Sequence, residues 1–357
     1  MIMESNTYKP GSLAEFLKGE VARLGFSGLA AVPLGEPRLL DSLSALGKRI
    51  VSGSPDSWPD YLRESSMLRA SPASAFPWAK SLLIASIPFE SLPSLPADSL
   101  HLTDEPALSG LIAGYAARED YHKHAALLMY KLAESLRKFT GIDFRHQVCV
   151  DTQPLAERPI AAWAGLGTIG RNACLLSASR QGSFLAELVL DLPLPFVMAG
   201  NSAAQNPCEK CSCCIEACLS GALKKGQEFD CGSCIAFLCS SKRGPLTAQE
   251  SSLIGEWVFG CGLCTSRCPA MRMPPPVRID LEWLLLCPSS ELKNALLESP
   301  MIHPGPTLLR RNALSVLANK KTPAAQLLIE KVLSQTGSDF LRETAQSALQ
   351  KSGTQRH

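Results

Sequence analysis

The sequence predicts a mixed α+β protein in three parts: an α/β domain over residues 1–200, a ferredoxin-like two-cluster domain over 201–285 and HEAT-like helices over 286–357. Three observations carry this. Helix-periodic stretches and short apolar runs alternate through the first two hundred residues. Eleven of the fourteen cysteines crowd between Cys208 and Cys268, and three amphipathic helical stretches follow the proline cluster Pro274, Pro275 and Pro276. A chain of 357 residues exceeds what one small core organises, and 46% apolar with 19% charged residues is a globular composition.

The elements follow in order. Leu13, Phe16, Leu17, Val21 and Leu24 have helical spacing and lead into the apolar run Gly28 to Val32, a helix feeding a strand. The run from Lys80 to Pro88 is short, apolar and proline-bounded, as a central strand is, and Leu111 to Phe139 reads as one long helix. Between them the Pro/Ser-rich stretch from Ser91 to Pro106 reads as a surface loop. Phe184 to Leu192 is again strand-like. After the cysteines, Leu308 to Leu317, Ala325 to Leu333 and Phe340 to Leu349 have the periodicity of stacked helices.

A net charge of +2 gives no global attraction to nucleic acid, leaving only local basic surfaces such as the tail's Arg310, Arg311, Lys320, Lys321, Lys331, Arg342, Lys351 and Arg356. The opening thirty residues carry no basic segment followed by an apolar core and no twin arginine, and no run reaches the roughly 20 apolar residues of a membrane span. The expected location is cytoplasmic. In that reducing compartment fourteen cysteines point to metal or redox chemistry rather than to disulfides.

Cys208, Cys211, Cys214 and Cys218 form the spacing C-x2-C-x2-C-x3-C, and Cys261, Cys264 and Cys268 followed by Pro269 mirror it downstream, with Cys234 between. Three cysteines at three-residue steps wrap three corners of a cubane, while the fourth serves a second cluster. By that rule Cys208, Cys211 and Cys214 take Cys268, and Cys218 joins Cys234, Cys261 and Cys264 on the other of two 4Fe–4S clusters. Zinc is the competing metal, though zinc ribbons use separated pairs. Cys213, Cys231 and Cys239 read as non-ligating thiols, with Cys231 an alternative to Cys234.

Asp151-Thr-Gln-Pro-Leu-Ala-Glu-Arg158-Pro, Ala164-Gly-Leu-Gly-Thr-Ile-Gly-Arg171-Asn172, Gly182-Ser-Phe184, Tyr115-Ala-Ala-Arg-Glu-Asp120-Tyr121-His122 and Leu309-Arg310-Arg311-Asn312-Ala together resemble the epoxyqueuosine reductase family. The resemblance covers roughly residues 65 to 345. It implies a cobalamin-dependent oxidoreductase with a corrinoid-binding α/β domain, two clusters, and a modified tRNA anticodon as partner and substrate. An external donor such as ferredoxin or flavodoxin would supply electrons to a chain acting as a monomer, away from membranes. Asp151 would be the acid that protonates the epoxide oxygen, because an alkoxide leaves poorly at neutral pH. Read without the family, Asp151 is a turn aspartate first and an acid second.

The resemblance further places Arg69, Asp151, Thr168, Ile169, Gly170 and Arg171 along the corrinoid and Arg158 on the substrate. The glycines from Gly165 to Gly170 lack the lysine-serine ending of a P-loop and serve either close ligand approach or a packing turn. His122 reads as a hydrogen-bonded histidine rather than an axial ligand. The chain departs from the family pattern at Arg171, where lysine is usual, and at Ser299 to Pro306, which lacks the family's run of arginines and lysines. Two other functions share these motifs: a corrinoid reductase of another substrate, resembling reductive dehalogenases, and an electron-transfer protein without cobalamin.

Overall fold

A computed structural model describes residues 10–52, 60–200, 207–226 and 229–353. The expected boundary at 200/201 adjoins residues 201–206, and the export-signal reading includes residues 1–9; both segments lie outside the described residues. The chain forms two compact units. One takes residues up to Leu92, Tyr121–Cys213 and Cys268–Arg272, and the other takes Pro93–Asp120, Cys214–Arg267 and residues from Met273 onward. The strands are β1 (Gly28–Pro33), β2 (Ser81–Pro88), β3 (Ser109–Ile112), β4 (His146–Cys149), β5 (Thr168–Ile169), β6 (Leu175–Leu176), β7 (Ser183–Leu190), β8 (Trp257–Phe259) and β9 (Val277–Asp280).

In the first unit a four-stranded sheet runs in the order β1-β2-β7-β4 and is antiparallel at every pairing. The alternation of helices and strands that reads as α/β therefore surrounds an antiparallel sheet. Side chains alternate between faces. Ala31, Leu83, Ala85, Ala186 and Leu188 pack with Leu13 and Leu17 of the helix Pro10–Leu24 and with Met129 and Leu132 of the helix Tyr121–Thr140. The other face places Val32, Ile84, Cys149 and Val189 against Leu39 and Leu43 of the helix Pro37–Ser52 and Ile160 and Ala161 of the helix Glu157–Trp163. β2 is buried along its whole length, as its uninterrupted apolar run requires.

In the second unit β3 pairs parallel to β8 and antiparallel to β9. The expected helix from Leu111 is corrected here: residues 109–112 are a strand, and the helix starts at Tyr121. The cause is tertiary, since a Cβ at Gly110 would lie 2.4 Å from Cγ2 of Val258, so this backbone fits only tight against β8. The Pro/Ser-rich stretch is also less superficial than expected, with Leu100 fully buried in the core of this unit. Helices Gly305–Lys320, Pro323–Gln335 and Asp339–Gly353 pack through Leu309, Leu317, Leu328, Ile329, Leu341 and Ala345. Thr322 caps the second of them by accepting from the N–H of Ala325, with Pro323 at its first position. Among the described residues no helix is long and apolar enough to cross a membrane.

Candidate active site and cluster cysteines

Asp151 lies just beyond the end of β4 with φ of 66°, in the left-handed region that costs a non-glycine residue about 1–2 kcal/mol. Its exposed side chain accepts from the phenol of Tyr121, Oη to Oδ2 at 2.5 Å, and lies 3.8 Å from Nε2 of His122. The Tyr121 ring stacks on Phe184 with centroids 3.8 Å apart and planes within 4°, which fixes the phenol at the mouth of the sheet. The Asp151 N–H donates to Oε1 of Glu157 at 2.6 Å, so both ends of this residue are held.

Glu157 opens the helix Glu157–Trp163, and burial together with the charge of Asp151 pushes its carboxyl up to about 7, against the smaller opposing pull of Arg158 and Arg69. Behind it stands Glu187, fully buried in β7 and directly opposite Cys149 of β4. Neither of its carboxyl oxygens meets a donor, and its side-chain hydrogen-bond neighbour is the Glu157 carboxyl. Burial first, and the charges of Glu157 and Asp151 next, push Glu187 far above the ordinary carboxylate range. Burial and both glutamates likewise push the Cys149 thiol up.

The other expected site residues fall around this acid in the same unit. Arg69 donates from Nη1 to the carbonyl of Leu155 and from Nε to Oγ of Ser65, both at 2.9 Å, bracing the loop after Asp151. Arg158 donates to the carbonyl of Ala173. Thr168 and Ile169 form β5, paired with β6, and Ile169 is 41% exposed. Gly170 has a local steric reason, because a Cβ there would lie 2.7 Å from both Oδ1 of Asn172 and Cδ1 of Leu176. Arg171 reaches the cysteine loop: its N–H faces Sγ of Cys208 at 3.5 Å, and its guanidinium donates to the carbonyls of Cys211 at 2.7 Å and Glu209 at 3.3 Å.

The cysteines divide between the units, with Cys208, Cys211 and Cys268 in the first and Cys214, Cys218, Cys234, Cys261 and Cys264 in the second. In the first, Cys208 and Cys211 share a turn and lie close enough to Cys268 for their charges to help raise its thiol pKa after burial. The segment Cys268–Arg272 is tied there by Arg272, whose N–H donates to the carbonyl of Arg180 at 2.7 Å and whose carbonyl accepts from Gly182. In the second unit, burial and then the mutual charges of Cys218, Cys234 and Cys261 act on the Cys261 thiol, pushed up to about 11. Gly262, at φ 87°, turns the chain so that the helix Leu263–Ser266 carries Cys264. Cys214 is buried in the helix Cys213–Glu216, and Cys239 is buried with its thiol donating to the carbonyl of Trp257. Among the described residues no disulfide joins any of the cysteines, and Cys208, Cys211, Cys214, Cys218, Cys234, Cys261, Cys264 and Cys268 offer sulfur donors of the kind that suit soft metal centres.

Residues 69–152 match the family model described as "Epoxyqueuosine reductase QueG, DUF1730", and residues 207–271 match the "4Fe-4S double cluster binding domain" model. The chain is 30% identical over 363 residues to epoxyqueuosine reductase of Pseudomonas aeruginosa, covering 96% of each chain. The chain belongs to the epoxyqueuosine reductase family. It is 34% identical over 215 residues to the Salmonella typhimurium epoxyqueuosine reductase, an alignment spanning 59% of this chain and 53% of the relative. Its fold is that of an epoxyqueuosine reductase solved with an epoxyqueuosine-modified tRNA-Tyr stem loop, at TM-score 0.76 and 23% identity over 97% of this chain and 91% of the other. The Streptococcus thermophilus enzyme gives 0.75 at 20% identity over 96% and 90%.

Sequence reasoning missed three groups within this family frame. Tyr121 and Glu157 stand inside quoted motifs without an assigned role, and Glu187 is one charge inside an apolar run, which is the signal that marks it. The tail's basic residues have structural partners. Arg311 is fully buried and donates to the carbonyls of Leu238, Lys242 and Gly244, and Arg310 donates to those of Leu284 and Cys287. Lys320 holds Glu256, and the half-exposed Lys331 pairs with Glu282; Arg356 lies outside the described residues.

Proposed function

We propose that this protein converts epoxyqueuosine in a tRNA anticodon to queuosine, with Asp151 as the acid that protonates the departing epoxide oxygen. The observation that carries the reading is the doubly held Asp151 carboxyl, oriented by Tyr121 and kept in a strained backbone conformation by Glu157. Strain of this kind persists where surrounding structure over-determines it, as it does at functional sites.

Two 4Fe–4S clusters fit the cysteine sets, with Cys208, Cys211, Cys214 and Cys268 holding one and Cys218, Cys234, Cys261 and Cys264 the other. Cobalamin fits beside Asp151, with Arg69, Asp151, Thr168, Ile169, Gly170 and Arg171 as the residues that hold it. Support comes from apolar surface at Ile169 and at Met198, the latter 52% exposed and adjacent to Gly165, and from the buried Nδ2 of Asn172, which has no partner. Bound there, the cofactor supplies the two-electron reductant that the clusters recharge. Arg158 faces the substrate, and the three C-terminal helices act as a HEAT-like scaffold behind a three-part chain of α/β, cluster and helical regions.

Within this site the chain's own residues handle the proton. Tyr121 orients the Asp151 carboxyl, Asp151 gives its proton to the epoxide oxygen, and Arg69 holds the loop through Leu155. The test is Asp151→Asn, which replaces the carboxyl by a carboxamide of the same shape in a residue that also tolerates the left-handed backbone. It is expected to retain iron and cobalamin while losing at least about a hundredfold in kcat, the usual contribution of a general acid. Full turnover in that variant defeats the assignment.

A further inference from the structure

The carboxyls of Glu157 and Glu187 lie behind Asp151, and the reaction gives them a role. Turning an epoxide into an alkene breaks two C–O bonds, forms one C=C π bond and releases the oxygen as water. That balance needs two electrons, which the external donor supplies, and two protons. Asp151 carries one proton, so a second must reach the oxygen before it leaves.

We propose that Glu157 and Glu187 form a buried proton store that recharges Asp151 within each turnover, an inference that rests on Asp151 being the acid. The geometry runs from the sheet interior outward. Glu187 sits fully buried on β7 with no donor for either oxygen and with the Glu157 carboxyl as its side-chain hydrogen-bond neighbour, Glu157 heads the helix packed over that face, and Oε1 of Glu157 accepts from the Asp151 N–H at 2.6 Å. An ionised carboxylate left unpaired at such a depth is strongly disfavoured, so Glu187 is held in its neutral, proton-bearing form. The groups facing the pair are Asp151, Arg158, Arg69 and the neutral thiol of Cys149. Both glutamates are raised, Glu157 to about 7, where a carboxyl both holds and yields a proton near neutral pH.

The sequence of transfers balances. Asp151 protonates the oxygen as the first C–O bond opens, and its carboxylate then takes the proton of Glu157. That proton leaves with the oxygen as water when the second C–O bond breaks. Glu187 restores Glu157, and solvent restores Glu187 after product release. With substrate covering the exposed side of Asp151, the protein side is the route that remains.

The experiment uses the enzyme loaded with clusters and cobalamin, acting on an epoxyqueuosine tRNA stem loop, with Glu187→Gln, Glu157→Gln and Asp151→Asn compared. Glutamine keeps the neutral shape of Glu187 and the acceptor that Glu157 offers to Asp151. Each glutamine variant is expected to lose about tenfold in kcat near neutral pH with KM unchanged, and to recover when small protonated buffer acids are added, as a missing proton donor allows. Infrared titration of the resting wild-type protein gives a second readout: a protonated carboxyl that persists well beyond the ordinary carboxylate range and vanishes in Glu187→Gln. Wild-type kcat and pH profile in both variants, a loss that buffer acids do not rescue, or no protonated carboxyl in the wild-type spectrum would each overturn the store. If Asp151→Asn is inactive while both glutamine variants match wild type, the store fails and the acid stands; if Asp151→Asn is active, both fail.

Discussion

The phenol of Tyr121 donates to Oδ2 of Asp151 at 2.5 Å across 30 residues of chain, joining the first turn of a long helix to the loop that ends a strand. Because the ring is also stacked on Phe184, this bond sets the direction of the carboxyl rather than following it. Tyr121→Phe keeps the stacking and removes the donor. It is expected to lower kcat about tenfold by loosening the aim of the carboxyl, while leaving iron content and thermal stability nearly unchanged, because the bond lies at an exposed carboxyl where water can replace the phenol. Steady-state kinetics alongside an iron assay checks this.

The left-handed backbone at Asp151 separates stability from activity. Asp151→Gly removes the steric cost of φ 66° and is expected to raise stability by about 1 kcal/mol while abolishing turnover. Urea melts of the two proteins compare the first quantity directly. A destabilised glycine variant would show that the side-chain bond to Tyr121 outweighs the backbone strain.

Glu187 gives stability a defined pH dependence. Its carboxyl ionises in the unfolded chain near the ordinary value of about 4.3 and stays protonated well above that in the fold. The folded state therefore binds more protons between those two values, and stability falls as pH rises through that window, by about 1.4 kcal/mol per pH unit for one such group. Glu187→Gln removes this contribution. Its stability relative to wild type should climb as pH rises from about 4.3 upward through that window, as read from urea midpoints.

The backbone that carries Cys234 and Cys261 is held by Arg311 and Asn312. Asn312 donates from Nδ2 to the carbonyls of Cys239 and Val258, and Arg311 holds Leu238, so the helix after Cys234 and the strand before Cys261 hang on one buried pair. Burial lowers the Arg311 pKa to about 10, but it stays charged at neutral pH. Arg311→Lys loses the forked geometry and leaves buried carbonyls unpaired, a cost of about 3 kcal/mol or more. Iron should fall from about eight to about four per chain, with the loss confined to the set containing Cys218, Cys234, Cys261 and Cys264.

The legible parts of this protein are those whose physics is local. Cluster cysteines repeat at steps a metal dictates, and strands such as β2 are continuous apolar runs, so both are readable along the chain. The site around Asp151 joins residues from a helix, a strand and a loop, and no spacing rule links Tyr121, Glu157 and Glu187. Leu111 and Ile112 read as the start of a helix because their apolar pattern lacks the information that the preceding Gly110 must fit against Val258. Arg311 read as a surface base because sequence shows its charge but not that the helix Gly305–Lys320 is buried nearly all round.

The central claim is tested most directly by incubating the anaerobically purified, cobalamin-loaded and reduced enzyme with an epoxyqueuosine-bearing tRNA anticodon stem loop and following the modified nucleoside by mass spectrometry. The account predicts loss of one oxygen atom and appearance of queuosine in the wild type, with no conversion by Asp151→Asn of equal iron and cobalamin content. Unchanged epoxyqueuosine with a fully loaded wild-type enzyme would contradict it.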